Sequence, residues 1–424
     1  MHCIKRPAKA IVLFLLIAGS HSIASGQILP PGATPTRLAT GFVFTEGPLD
    51  DGTGGVFFSD MHPSGQVATN PSRIIRYDIG AGTTTIPVTS SGGTNGTYRA
   101  ANGDIIAAER ENRDIGRRTE VNGVLSTTTT PIVSTYNGKQ FNGPNDLVVD
   151  SSGGVYFTDP DYEGRHSLTD AFYYYSAGGV LTQLGTFGSG RPNGIVLSPD
   201  GNTLYLALEQ EYKIMEYDVT SPGLLTNART FVNTVNVGNN GPDGLTIDAV
   251  GNVYAAMHNS VQAWNPAGQL LFTLNMPTIS GTVEDPTNVE FGGADGKTLF
   301  ITAGKSLYGI QLNVASLKPG DFNQDGFVTA ADISAMEAAL ADPQTYEAAH
   351  GFNDSQFTAL ADVNHDNTVS NADLQQLLIN LENGGSSAES VPEPDAYLLA
   401  VIGLCCVAVI RRLADRRTDS SSRS

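Results

Sequence analysis

Between residues 36 and 313 short apolar runs alternate with Gly-rich turns, and one pattern returns six times. It reads GGVFFSD at Gly54, GDIIAAE at Gly103, GGVYFTD at Gly153, GNTLYLAL at Gly201, GNVYAAM at Gly251 and GKTLFITA at Gly296. The first apolar residues, Val56, Ile105, Val155, Leu204, Val253 and Leu299, are spaced by 49, 50, 49, 49 and 46. Most copies continue into a second apolar run, such as RIIRYDI at Arg73 or KIMEYDV at Lys213. Strands of five to seven residues with turn signals at this spacing predict four-stranded blades. The predicted fold class is all-β, a six-bladed propeller over 36–313 followed by a small α-helical module.

Ten or eleven residues before each apolar run stands an oxygen-bearing side chain: Glu46, Asn95, Asn145, Asn193, Asp243 and Asn288. Rotation about a propeller axis relates equivalent positions, so these groups converge at the channel if they face inward. Two carboxylates with neutral amides and no His or Cys make a hard-oxygen set, suited to Ca²⁺ or Mg²⁺. The competing reading is structural, because Asn-Gly and Asp-Gly are common turn dipeptides. That reading weighs most on Asn95 and Asn288 and least on Glu46, which has no turn propensity to explain it. Glu109, Arg110, Asp159, His62 and His258 end strands and are read as solvated surface. The chain has no Gly-x-Ser-x-Gly elbow and no partner pattern for its His residues, which argues against a catalytic triad.

TEGP at Thr45, FNGPNDLVVDSSGGVYFTDPDY at Phe141, RPNGIVLSPDGNTLYLAL at Arg191 and GPDGLTIDAVGNVYAAM at Gly241 closely resemble the gluconolactonase, regucalcin and senescence-marker-protein family. The resemblance implies one divalent cation held by Glu46, Asn193 and Asp243, with Asn145 beside it as a further contact to cation, substrate or bound water. Ca²⁺ is expected first, with Mg²⁺, Zn²⁺ and Mn²⁺ as other candidates. It implies hydrolysis of a sugar lactone such as gluconolactone, with Asp243 as ligand or general base and Asn145 as its partner in catalysis. One departure is Gly143, where animal members carry Arg, so sugar specificity stays open. Two other functions remain: a non-catalytic ligand-binding propeller at the cell surface, and an organophosphate or ester hydrolase using the same site.

From 318 the texture changes to Ala-rich helix. Asp321, Asn323, Asp325, Phe327, Thr329 and Asp332 stand at positions 1, 3, 5, 7, 9 and 12 of a calcium loop, with Phe327 offering its carbonyl. Asp362, Asn364, Asp366, Thr368, Ser370 and Asp373 repeat the set, and each loop leads into a helical pattern, at Ile333 and Leu374. Residues 318–383 resemble a type I dockerin, which implies two Ca²⁺ and admits either a cohesin-like partner or a rigid spacer. Residues 384–391 read as a linker.

Composition and the two ends complete the picture. With 24 basic against 43 acidic residues and a net charge of −19, a nucleic-acid partner is excluded. Cys3, Cys405 and Cys406 lie outside the globular part, so no disulfide holds it. Residues 1–26 carry Lys5, Arg6 and Lys9, an apolar run and small residues, the order of a signal peptide cleaved near Gly26. Residues 392–417 place Pro392, Glu393 and Pro394 before an apolar helix at 396–410 and a basic tail from Arg411. They resemble a PEP-CTERM sorting signal, which implies an exosortase-type partner, transient anchoring in the inner membrane, and a final place at the cell surface or outside.

Overall fold

The computed structural model describes residues 28–384 except 63–70, 101–102, 122–123, 236–240, 317–318, 324–327, 351, 353 and 365–367. The signal peptide, the linker and the sorting signal lie outside these residues, apart from Gly384, which ends the last helix. Six four-stranded antiparallel sheets follow one another, as the repeat predicts. Blade I runs from Thr45–Asp50 to Thr83–Val88, and blades II to V follow in chain order. Blade VI takes three strands from Pro286–Gly292, Thr298–Ala303 and Ser306–Gln311, and its fourth from the start of the chain, Thr36–Thr40. Thr36 pairs with Gly309 and Thr40 with Ser306, so the N-terminal strand closes the ring. Closure of this kind removes the open sheet edges between first and last blade.

The recurring glycine before each apolar run serves the turn between a blade's first and second strands. Gly153 (φ 81°) and Gly251 (φ 86°) are left-handed there, a region costly for residues with a Cβ. The apolar run itself is the second strand and is buried along its length: Val56, Phe58, Ile105, Val155, Phe157, Leu204, Val253 and Leu299 are at most 4% exposed. Large aromatics fill the wedges between blades. Phe141, Phe157 and Tyr173 pack with centroids 5.1–5.3 Å apart, in edge and stacked geometry.

The first strands form the innermost layer, and neighbouring blades approach there backbone to backbone. Gly194 N donates to Asp243 O at 3.1 Å and Gly244 N to Thr287 O at 2.9 Å. A Cβ on Gly194 would lie 2.4 Å from Asp243 O, and one on Gly244 would lie 2.1 Å from Asn288 Cγ. Asn193 and Asp243 have no positive φ, so their glycine neighbours serve close approach rather than a turn. The turn-dipeptide reading of these pairs is thereby corrected.

Beyond the propeller lie helices Ala331–Ala341, Pro343–His350, Asp354–Ala361 and Asn371–Gly384. The first and last are the two expected from sequence, and the middle two occupy the wide spacing between the calcium loops. Asp332 and Asp373, both fully buried, close their loops in the same way. Asp332 accepts from Asn323 N (3.0 Å) and Thr329 N (2.8 Å), while Asp373 accepts from Asn364 N (3.2 Å) and Ser370 N (2.8 Å). Position 12 therefore ties positions 3 and 9 in both loops. Thr368 is exposed, and Asp325, Phe327 and Asp366 fall outside the described residues. Gln356 Nε2 donates to Ala249 O at 3.0 Å, at the turn between the first two strands of blade V. Because the candidate residues stand at the other end of the first strands, the module meets the propeller away from them.

Gly194→Ala is expected to lower stability by about 1–3 kcal/mol through overpacking. Gly178→Ala, whose Cβ would stand 3.8 Å from Ser176 Oγ, should change it by less than about 0.5 kcal/mol. Urea midpoints at unchanged m-value make the comparison.

Candidate metal centre

The structure brings the sequence-identified residues to one end of the innermost layer. Glu46, Asn95 and Asn193 are the second residues of their strands, Asn288 the third, and Asn145 and Asp243 stand two residues before theirs. Glu46, Asn95, Asn145, Asn193 and Asn288 are 4–8% exposed, and Asp243 is partly open.

Electrostatics shows that the carboxylates face one another. Burial first, and then the charge of Asp146, raise the Glu46 carboxyl to about 8. Burial, Glu46, Glu209 and Asp146 together push Asp243 well above the ordinary range. Asp146 is raised to about 7, chiefly by burial. Arg110 is the cation that relieves Glu46, and it does so less than the other groups act. A cluster of desolvated like charges demands protons or a cation. Among the described residues no three Asp, Glu, His or Cys side chains form a close metal-ligand group. The donor set is therefore a mixed one, carboxylates with amide oxygens, and it fits a hard divalent ion.

Hydrogen bonds sort the amides. Asn193 Nδ2 donates to the Tyr162 hydroxyl at 2.8 Å, and its amide also favours the ionised form of Asp243. Its Oδ1 is left for a cation. Asn288 differs: Oδ1 accepts from Val289 N at 2.8 Å, and its amide reaches the Glu46 and Asp146 carboxylates. It braces the acids, and its oxygen already accepts one backbone N–H. Asn145 donates its backbone N–H to Thr158 O at 2.9 Å, and its carbonyl accepts from Gly96 N at 2.8 Å. Its side-chain amide makes no hydrogen bond among the described residues.

Sequence reasoning passed over Asp146, the residue after Asn145. It accepts from Leu147 N at 2.9 Å and from Ile195 N of the next blade, and its Oδ1 lies beside Gly96 of the preceding one. The single-residue register focused attention on Asn145, although the dipeptide Asn145-Asp146 carried the signal.

The acids that end the second strands also need correction, because they are buried rather than solvated. Asp159, fully buried, accepts from Asn142 N (2.9 Å) and Gly143 N (2.7 Å), and so fixes the loop leading to Asn145. Asp60, equally buried, accepts from Val43 N at 2.8 Å and ties down the approach to Glu46. Glu109 and Arg118 form a buried pair at 3.4 Å, with Asn112 and Thr129 also on the Glu109 carboxylate. His62 is 5% exposed, with Nε2 3.6 Å from Asp60, and its carbonyl accepts from Arg110 at 2.8 Å. His258 is half-buried, 3.1 Å from Asp285. These residues were misjudged because a strand end in a propeller meets the loop of its own blade before it meets water. Arg110 fills the space beside Gly143: a Cβ there would lie 3.0 Å from Arg110 Cγ and 3.1 Å from Arg165 Nη1.

Fold and site define a closed six-bladed propeller with an acidic, amide-lined cluster at one end of its innermost layer. The chain belongs to the SMP-30/Gluconolactonase/LRE-like family, whose model matches residues 44–305. A type I dockerin domain matches residues 319–381. Over 228 residues the chain is 34% identical to a gluconolactonase of Zymomonas mobilis subsp. mobilis, covering 50% of this chain and 61% of that protein. It thus spans under two thirds of that relative's length. Among solved structures, a gluconolactonase from Xanthomonas campestris is 26% identical with a TM-score of 0.58, over 68% of this chain and 91% of that one. Regucalcin from Agrobacterium tumefaciens, a calcium-binding protein, shares the fold at 20% identity and a TM-score of 0.54, over 67% and 95% of the two chains.

Removing one partner of the buried Glu109–Arg118 pair should be costly. Glu109→Ala is expected to destabilise the protein by about 3–5 kcal/mol in chemical denaturation, since it leaves a buried guanidinium without its carboxylate.

Proposed function

We propose that this protein is a divalent-metal-dependent lactonase acting on a sugar lactone such as gluconolactone. The observation that carries the reading is the gathering of Glu46, Asp146 and Asp243 at one end of the innermost layer, beside Asn193, whose Nδ2 is held by Tyr162. Family membership and the gluconolactonase relatives give the reaction class. Glu46, Asn193 and Asp243 would hold the cation, with Asn145 as the adjoining amide. When bound there, Ca²⁺, or Mg²⁺, Zn²⁺ or Mn²⁺ in its place, would supply Lewis-acid polarisation of the lactone carbonyl.

The chain's own groups do the rest. Asp243, partly exposed at this site, is the carboxylate that receives a proton from the attacking water. The water oxygen bonds to the carbonyl carbon, the ring C–O bond breaks, and the proton returns to the departing ring oxygen. The product is the open hydroxy acid. Asn145 is free to hydrogen-bond the substrate or the water. Arg110, packed against Gly143 and paired with Glu111 (3.0 Å) and Glu163 (3.2 Å), places a cation near Glu46.

The matched dockerin domain supports two Ca²⁺ at the loops closed by Asp332 and Asp373, and a cohesin-like partner for the module. Export through residues 1–26, transient anchoring through 392–417 and processing by an exosortase-type enzyme at Pro392-Glu393-Pro394 rest on sequence order. Among the described residues no helix is long and apolar enough to cross a membrane, and 396–410 lies outside them.

The full-length protein, stripped of metal and resupplied with Ca²⁺, Mg²⁺, Zn²⁺ or Mn²⁺, is expected to hydrolyse glucono-δ-lactone or another lactone of a small panel only with metal. A folded protein inactive with every metal and lactone would overturn the reading. Asp243→Ala should lower kcat/KM by about 100- to 10,000-fold at unchanged far-ultraviolet circular dichroism, as loss of a positioned base does. For the helical module, calcium titration of the full-length protein should show two sites that Asp332→Ala with Asp373→Ala removes. Unchanged stoichiometry in that double variant would refute loop binding.

A further inference from the structure

Asn193 can serve a cation only through Oδ1, and an asparagine amide is free to turn by about 180° unless its neighbours forbid it. The neighbours here come from two blades. Tyr162 lies in the loop between strands Val155–Asp159 and Ala171–Tyr175 of blade III. Glu209 directly follows Thr203–Leu208 of blade IV, the blade whose first strand carries Asn193. The Tyr162 hydroxyl donates to Glu209 Oε2 at 2.5 Å and accepts from Asn193 Nδ2 at 2.8 Å. Arg191 covers the Tyr162 ring, its Cζ 4.9 Å from the centroid, and holds it in place.

The direction of this relay follows from what each group can do. A carboxylate accepts and does not donate, so the phenol proton points to Glu209. The phenol oxygen is then an acceptor on its other side, and only the NH₂ of Asn193 can satisfy it. Asp243 likewise takes from the Asn193 amide. With both its neighbours acceptors, the amide is locked with Oδ1 away from them. If Glu209 were absent, the phenol could donate to Oδ1 and turn the amide over.

We propose that Tyr162 and Glu209 are positioning residues that set the amide orientation of Asn193 and thereby the cation affinity of the channel. The inference rests on the metal-dependent reading above, and it assigns to two residues a task carried out through Asn193. Such outer contacts typically change metal affinity by about 10- to 100-fold.

The test is calorimetric titration of the full-length protein carrying Asp332→Ala and Asp373→Ala, so that only the channel is read. The probe is Ca²⁺, or whichever of Mg²⁺, Zn²⁺ and Mn²⁺ that parent binds. Tyr162→Phe should weaken binding by about 10- to 100-fold while the melting temperature without metal stays within about 2 °C. Asn193→Asp supplies the discriminating background, because a carboxylate presents an oxygen whichever way it turns. There Tyr162→Phe should weaken binding by less than about threefold. Equal losses in both backgrounds, or no loss in the first, would overturn the proposal while leaving the metal site standing. Should Tyr162→Phe fail to fold, Glu209→Ala replaces it and carries the same expectation. A folded parent that binds none of the four cations removes the underlying reading, and the inference falls with it.

Discussion

Six first strands crowd one axis, and the channel chemistry depends on how closely they do so. At Gly47, Gly194 and Gly244 a Cβ would lie 2.1–2.4 Å from atoms of the next blade. Glycine at these positions lets the blades approach, and that approach buries Glu46 and Asp146 and brings Asp243, which stays partly open, within reach of them. The cost of that desolvation is visible in the raised carboxyl pKa values.

A second layer of acids holds this arrangement in register. Asp60 and Asp159 end their second strands and accept backbone N–H groups from the segments that lead into Glu46 and Asn145. Glu209, one residue beyond the second strand of blade IV, receives the Tyr162 hydroxyl. Glu109, in blade II, turns to Arg118. One repeat position thus supplies three buried acids with two different tasks, loop fixation and a charged core pair. Their partners come from irregular loops, which explains why the repeat shows the acids and hides what they do.

The helical module obeys a more local rule. In both calcium loops the Asp at position 12 binds the N–H groups of positions 3 and 9, so the loop geometry is carried within about a dozen residues of sequence. Such a motif is readable without knowledge of anything distant. The contact through Gln356 to Ala249, over a hundred residues apart in the chain, had no sequence signal.

By itself the sequence determined the propeller, its six blades, the calcium loops and the register of Glu46, Asn145, Asn193 and Asp243, because periodicity and turn chemistry are local and repeat. It could not show that the Asn288 oxygen accepts Val289 N–H while the Asn193 amide donates to Tyr162. Nor could it place Asp146 among the acids, or show that His62, Glu109 and Asp159 are buried. Those distinctions turn on which neighbour an amide or carboxylate meets across a blade boundary. Ring closure settles that, by bringing loops of different repeats against one another.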